Sequence, residues 1–223
     1  MENRFVINIG RQIGSGGKSV GEALARRLGV ELYDKELINL AARESGLCPE
    51  VFEQADEKQS HNRLATLLGY LRAPFFGSDG AAGNVLSGDA LFKIQSDVIR
   101  GIAARESALF VGRCADYILR DHPRRLSVFL TADDPDRAAR ICGRTGCTEA
   151  QARQQMERGD ARRAAYYNYY SLQTWGAAAS YDLCLNTSVL GIEGTAELIL
   201  TLGGGARGGG TATGGERQHG HAQ

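Results

Sequence analysis

Residues 4–29, RFVINIGRQIGSGGKSVGEALARRLG, constrain the fold more than any other stretch of this chain. Arg4 to Ile9 is a short, β-rich apolar run of the kind found in a strand buried on both faces. A glycine-rich segment follows at once. Beyond it Val20, Ala23, Leu24 and Leu28 recur at helical spacing, and Gly29 is a natural stop. A strand that turns through glycines into a helix can present main-chain N–H groups and a positive helix end to an anion.

The loop GRQIGSGGKS departs from the strict pattern G-x-x-x-x-G-K-[ST]. Counting back from Gly17-Lys18-Ser19 puts Gln12 where the first glycine belongs, and Gly10 lies two residues further upstream. The chemistry survives the irregular spacing. Gly14, Ser15, Gly16 and Gly17 supply a backbone that can approach a polyphosphate closely. Lys18 supplies charge, and Ser19 a hydroxyl for Mg²⁺ held through phosphate and water. The competing reading is a glycine-rich turn with no ligand; the strand before the loop and the Lys-Ser that opens a helix argue against it.

The rest of the chain repeats the alternation. A second strand, Val30 to Tyr33, leads into an amphipathic helix from Lys35 to Ser45. Residues 73–88 (APFFGSDGAAGNVLSG) hold four glycines without a period and read as a flap. A helix from about Asp89 to Arg105 precedes the apolar strand Ala108 to Val111, and Leu126 to Leu130 is a further strand. Thr148-Glu-Ala-Gln151 fits a capping box that opens an Arg-rich helical region to about Trp175. Tyr181 to Leu185 is the last strand, and Ile192, Ala196, Ile199 and Leu202 mark the last helix. Strands alternating with helices predict an α/β fold with a parallel sheet covered on both faces, its ligand edge at the strands' carboxyl ends. From Gly203 onward the chain has nine glycines in 21 residues and reads as a disordered tail.

Composition narrows the partners. Lys plus Arg and Asp plus Glu each number 26, so no overall charge favours nucleic acid or an anionic membrane. The start lacks a secretory pattern and no apolar run reaches membrane-spanning length, which predicts a cytoplasmic protein. Five scattered cysteines read as reduced thiols. Cys142 and Cys147 have four residues between them, but no second pair or nearby His completes a zinc site.

Several segments together resemble the cytidylate kinase-like family. They are RQIGSGGKS, the Tyr33 to Ile38 run YDKELI, Asp56-Glu57, and Val111-Gly-Arg113 with Ala115-Asp-Tyr117. Asp160 to Arg163 with Tyr166-Tyr167, and Tyr181 to Ser188 (YDLCLNTS), complete the set. The resemblance spans residues 4–202 and implies a P-loop NTPase three-layer sandwich in a single domain, 1–202. That domain would carry an acceptor-binding insertion at about 46–90 and an Arg-rich helical lid at about 131–175. The implied reaction is transfer of the ATP γ-phosphoryl group, with Mg²⁺, to a nucleoside monophosphate, CMP or dCMP first.

The resemblance also implies roles. Arg11, Gly14 to Ser19 and Arg137 would bind ATP; Asp34, Arg113, Asp160 and Arg163 the acceptor; and Lys18, Arg158 and Arg163 would neutralise the transferring group. In ordinary cytidylate kinases the phosphate-binding Lys aligns with Gly17, whereas the cytidylate kinase-like family's own loop departs from the strict motif as this one does. Either the loop bulges so that Lys18 reaches the phosphates, or Arg11 or a lid arginine supplies the charge. Cys114 replaces an Asp and Met156 an Arg of cytidylate kinases, so those contacts are absent or pass to Asp116 and to Arg153 or Arg158. Asp34 also suits the cap of the helix it precedes, and Asp160-x-x-Arg163 places both side chains on one helical face. Arg137, Arg140 and Arg144 are spaced for one face of the preceding helix. Tyr166, Tyr169 and Tyr170 share a stripe that predicts packing rather than base stacking.

Overall fold

The computed structural model describes residues 4–35, 38 and 88–205. The flap at 73–87, most of the insertion expected at 46–90, and the helix expected from Lys35 to Ser45 beyond its first turn lie outside them, as does the chain from 206 onward.

The first strand, β1 (Val6–Arg11), lies at the centre of a five-stranded parallel sheet ordered β2-β3-β1-β4-β5. The others are β2 (Glu31–Tyr33), β3 (Ala108–Val111), β4 (Arg125–Thr131) and β5 (Leu183–Asn186). Val6 to Ile9 are all buried because alternate residues face opposite layers, and both layers are covered. Ile7 and Ile9 join Leu109, Val111, Val128 and Leu130 against Val20, Ala23 and Leu24 of α1 (Gly17–Leu28) and Ala196 and Ile199 of α6 (Thr187–Gly205). Val6, Ala108 and Phe110 face Val98, Ile99 and Ile102 of α2 (Gly88–Arg105) and Ala115 and Ile118 of α3 (Ala115–Ile118). Three layers result.

The Arg-rich region forms two helices, α4 (Asp134–Thr145) and α5 (Glu149–Ser171). Gly146 ends α4 in the left-handed conformation, and the capping box opens α5 with Thr148 Oγ1 accepting from the Gln151 N–H. The helix stops at Ser171, four residues before the expected Trp175. Leu172 turns left-handed there, and the Asn168 side-chain oxygen accepts the Trp175 N–H at 2.8 Å. The tyrosines pack, with one correction. Tyr169 is 54% exposed, whereas Tyr167 is buried with Phe129 and Tyr181. Phe92 of α2 stacks on Tyr170 at 4.0 Å.

A further correction concerns the last helix. It begins at Thr187, with a non-helical break at Gly191, and continues to Gly205, past the tail boundary expected at Gly203. Of the residues that mark it, Ala196 and Ile199 are buried and Leu202 is 46% exposed.

Candidate phosphate-binding site

The loop between β1 and α1 leaves the sheet's carboxyl edge, where right-handed crossovers place ligand sites in open α/β folds. Its shape is held from outside. The Arg11 carbonyl accepts from Arg163 Nη1 at 2.7 Å, Ile13 from Arg137 Nε at 2.8 Å, Gly14 from Arg140 Nη1 at 3.1 Å, and Ser15 from Thr187 Oγ1 at 2.7 Å. The Gln12 carbonyl accepts from the N–H and hydroxyl of Ser15. Five successive carbonyls are thereby committed. Because the C=O and N–H of a peptide unit point in opposite directions, tying the Ile13 and Ser15 carbonyls to the supporting helices turns the amides of Gly14 and Gly16 toward the opposite side.

Gly14 and Gly16 both have φ of 78°, a left-handed conformation that favours glycine. A methyl group at Gly14 would lie 2.7 Å from the Arg137 carbonyl oxygen, so the loop touches α4 backbone to backbone. Gly16 caps α1 without a side-chain hydrogen bond, and no acidic residue sits in the first turn. The amides that open α1 thus have no side-chain cap, and the helix end keeps its positive character.

Three other loop amides are held inside the protein: the Gln12 N–H donates to the Leu130 carbonyl, the Ser15 N–H to the Gln12 carbonyl, and the Ile13 N–H to Asp160. The Asp160 carboxylate accepts the Ile13 N–H at 2.7 Å and pairs with Arg137 Nη2. Arg137, expected at the nucleotide, is 5% exposed and is committed to Ile13, Asp134 and Asp160. Ile13 itself packs into a cluster of Ala138, Ile141, Ala152 and Met156. Met156, for which the resemblance to cytidylate kinases implies an arginine, is a core residue of the α4–α5 hairpin. Gly159 lets α5 press on the loop: a methyl group there would lie 2.6 Å from Ile13 Cγ1.

Lys18 projects from the first turn of α1, 66% exposed on its side chain, and donates to Asp34 Oδ2 at 3.2 Å. Asp34 also accepts the Ile38 N–H through its carbonyl, the start of a helical turn. Ser19 is exposed beside Lys18. Burial pushes the Arg163 guanidinium down to about 10, against the pull of Asp160 in the other direction. Arg153 pairs with Glu149 on the outer face, and Arg158 is exposed.

Arg113 follows β3 at the same edge. Gly112, Arg113 and Cys114 are left-handed in succession (φ 80°, 61° and 54°), and the Arg113 guanidinium lies 5.5 Å from the Tyr166 ring centre. Consecutive non-glycine residues in that region carry backbone strain, of the kind that clusters at functional sites. Cys114 is buried. Asp116 accepts the Tyr167 hydroxyl at 2.6 Å, and burial raises its carboxyl above the usual range.

Sequence reasoning missed Arg140 and Thr187 as loop anchors, and Gly159 as the point of close approach. The signals were present. Arg140 shares a helical face with Arg137, and Thr187 directly follows a strand at the ligand edge.

A parallel sheet in this order, with a glycine loop after its central strand and an uncapped helix end behind the loop, defines the α/β P-loop NTPase fold. The chain belongs to the cytidylate kinase-like family, whose profile matches residues 6–189. An uncharacterized protein from Eubacterium ventriosum is 26% identical and superposes with a TM-score of 0.67 over 89% of this chain and 98% of its own. A shikimate kinase from Bacteroides thetaiotaomicron is 14% identical, with a TM-score of 0.50 over 89% of this chain and 97% of its own. TT1252 from Thermus thermophilus is 17% identical, with a TM-score of 0.50 over 90% and 98%. No curated protein matches the chain. Among the described residues, no helix is long and apolar enough to cross a membrane.

Proposed function

We propose that this protein transfers the γ-phosphoryl group of ATP to a nucleoside monophosphate, with CMP or dCMP the first acceptors to test. The observation that carries the reading is the loop whose carbonyls are drawn outward by Arg137, Arg140, Arg163 and Thr187. Such a loop offers its remaining amides, together with the start of α1, to the β-phosphate of a nucleotide. Membership of the cytidylate kinase-like family supports the phosphotransfer class.

The reaction requires alignment and charge neutralisation more than covalent chemistry. Lys18 lies at the helix end, where a short swing from Asp34 brings its ammonium to the β- and γ-phosphates. Arg113, supported by Tyr166, would orient an acceptor phosphate, which is already anionic near neutral pH and needs no general base. Arg163, anchored on the Arg11 carbonyl, would add positive potential beside the loop, and exposed Arg158 would reach the transferring group only as the α4–α5 lid moves. Lid closure would exclude water and suppress ATP hydrolysis.

Magnesium fits the oxygen donors at this helix end. The Ser19 hydroxyl and the Asp34 carboxylate would hold it through phosphate and water, the usual arrangement for an ion that keeps several waters. The ion supplies neutralisation of the phosphate oxygens.

One observation favours a second acceptor class. Asp160, expected at the acceptor, is occupied by Ile13 and Arg137, and Cys114 offers no carboxylate. The same scaffold could therefore phosphorylate another small acceptor. A coupled ADP-release assay across nucleoside monophosphates, shikimate and sugars, run beside direct ATP titration, separates the cases. Turnover with CMP or dCMP supports the first reading and turnover only with another acceptor the second. Tight ATP binding without any turnover would leave a nucleotide-binding regulatory module.

A further inference from the structure

The turn that joins α4 to α5 brings two thiols together. Cys147 Sγ lies 3.9 Å from Cys142 Sγ, within the reach of an S–H···S hydrogen bond. A disulfide requires about 2.05 Å, so the sulfurs must close by roughly 2 Å. Both residues are partly exposed, and a small oxidant can reach them. The other described cysteines are placed differently. Cys114 is 3% exposed under α3, and Cys184 is exposed on β5.

The backbone around the pair is set on both sides. Cys147 sits between Gly146, left-handed with φ of 69°, and Thr148, the capping-box residue of α5. The Cys142 carbonyl accepts the Gly146 N–H at 2.8 Å. The sulfurs can therefore approach by side-chain rotation, without a search by the chain, and such pre-arrangement gives an intramolecular step a high effective concentration. What little backbone movement is needed meets no obstacle, since methyl groups at Gly143 and Gly146 would touch nothing within 4 Å.

We propose that Cys142 and Cys147 form a reversible dithiol–disulfide modification site whose oxidant is a hydroperoxide. The Cys147 thiolate attacks the terminal peroxide oxygen and breaks the O–O bond. This gives a sulfenic acid on Cys147, and the other oxygen leaves as water or an alcohol after taking a proton. The Cys142 sulfur then attacks the sulfenic sulfur, forming the S–S bond and expelling water. Two thiols and one hydroperoxide become one disulfide, one alcohol (or water) and one water, with two electrons passing to the peroxide. Cys147 lies in the turn between the helices rather than on one, and it is the sulfur that meets the oxidant first; Cys142 sits on the last turn of α4, where partial burial pushes its thiol up.

The position of the bond gives it consequence. It would tie the end of α4, which carries Arg137 and Arg140, to the turn that leads into α5, which carries Asp160 and Arg163. Both cysteines also pack on the cluster that holds Ile13 of the phosphate loop.

The test treats the full chain with stoichiometric hydrogen peroxide, blocks remaining thiols with an alkylating reagent, and maps peptides by mass spectrometry. The expected result is a linked Cys142–Cys147 pair, lighter by about 2 Da than the dithiol, restored by dithiothreitol and lost in both C142S and C147S. In C142S the sulfenic acid on Cys147 should persist long enough to be trapped by dimedone. Links from either residue to Cys48, Cys114 or Cys184, disulfide-bonded dimers, sulfinic acid in place of a bridge, or alkylation of both thiols after peroxide would each overturn the assignment.

Discussion

Asp160→Ala tests whether this carboxylate holds the phosphate loop or contacts the acceptor. In the structure it accepts the Ile13 N–H at 2.7 Å and pairs with Arg137, whose side chain is 6% exposed. Truncation leaves a buried guanidinium with Asp134 as its remaining carboxylate, 3.1 Å away but itself 61% exposed. Breaking a buried pair by removing one partner costs about 3–5 kcal/mol, and Asp134 keeps the value toward the lower end. Loss of the acceptor for the Ile13 N–H adds about 1 kcal/mol. A total of about 4 kcal/mol corresponds to a fall in melting temperature of about 8–16 °C for a chain of this size. Asp160→Asn, which keeps an oxygen for Ile13 and loses only the charge, should fall less. Asp160→Ala with Arg137→Met should recover part of the loss, because no buried charge is stranded. Thermal unfolding of the four proteins, with ATP titrations on each, measures this. If Asp160→Ala kept the wild-type melting temperature and ATP affinity while KM for the acceptor rose tenfold or more, the loop-holding role would be wrong and the acceptor role right.

Lys18→Ala should lower turnover by two or more orders of magnitude with an unchanged far-ultraviolet spectrum, since the residue is exposed on a helix whose core face it does not touch; unchanged turnover would move the catalytic charge to Arg11 or the lid arginines. Gly159→Ala gains about 1 kcal/mol of helix propensity but forces its methyl group onto Ile13, which is tied through both its N–H and its C=O. Overpacking of about 1–3 kcal/mol should win, and isothermal titration should show weaker ATP binding; equal affinity would mean that the loop yields freely. Asp116→Asn probes the carboxyl that burial raises above its unfolded value. At pH below the unfolded value both states are protonated and the group is neutral to stability. As pH climbs through the window between the unfolded and the raised folded value, wild type loses stability that Asn, uncharged and still an acceptor for Tyr167, keeps. The melting-temperature advantage of the variant should grow from acid toward neutral pH, and a constant difference would refute the burial argument.

The fold was legible where local signals agree with tertiary placement. The apolar run at β1, the helical spacing of Val20 to Leu28 and the stop at Gly29 all reflect burial on a single periodic face, and α1 ends where expected. The α5 seam was harder to read. Its buried side, Ala152, Met156, Gly159, Tyr167 and Ser171, includes a glycine and a serine, while half-buried Asp160 and Arg163 continue it. A seam built from small and charged residues leaves no apolar stripe to mark its buried side. The anchoring of the loop escaped for another reason. Arg140 and Thr187 meet backbone carbonyls 126 and 172 residues away, and a carbonyl has no letter of its own in the sequence. The likeness to cytidylate kinases pointed to Asp160 and Arg163, and both do lie at the loop, but on its supporting side.

Braces from α4, α5 and the start of α6 give the nucleotide cradle a biosynthetic timetable. The last of them, Thr187, lies 172 residues beyond its partner Ser15. A ribosome-bound chain that has exposed only β1, the glycines and α1 owns every amide of the pocket yet has only the local Ser15–Gln12 contacts to hold their orientation. Competence to capture a nucleotide should switch on late, after β5 has docked and Thr187 has cleared the exit tunnel. The same dependence explains how an aberrant glycine spacing is tolerated: when the frame dictates curvature, the ribbon inside it is free to vary its own punctuation.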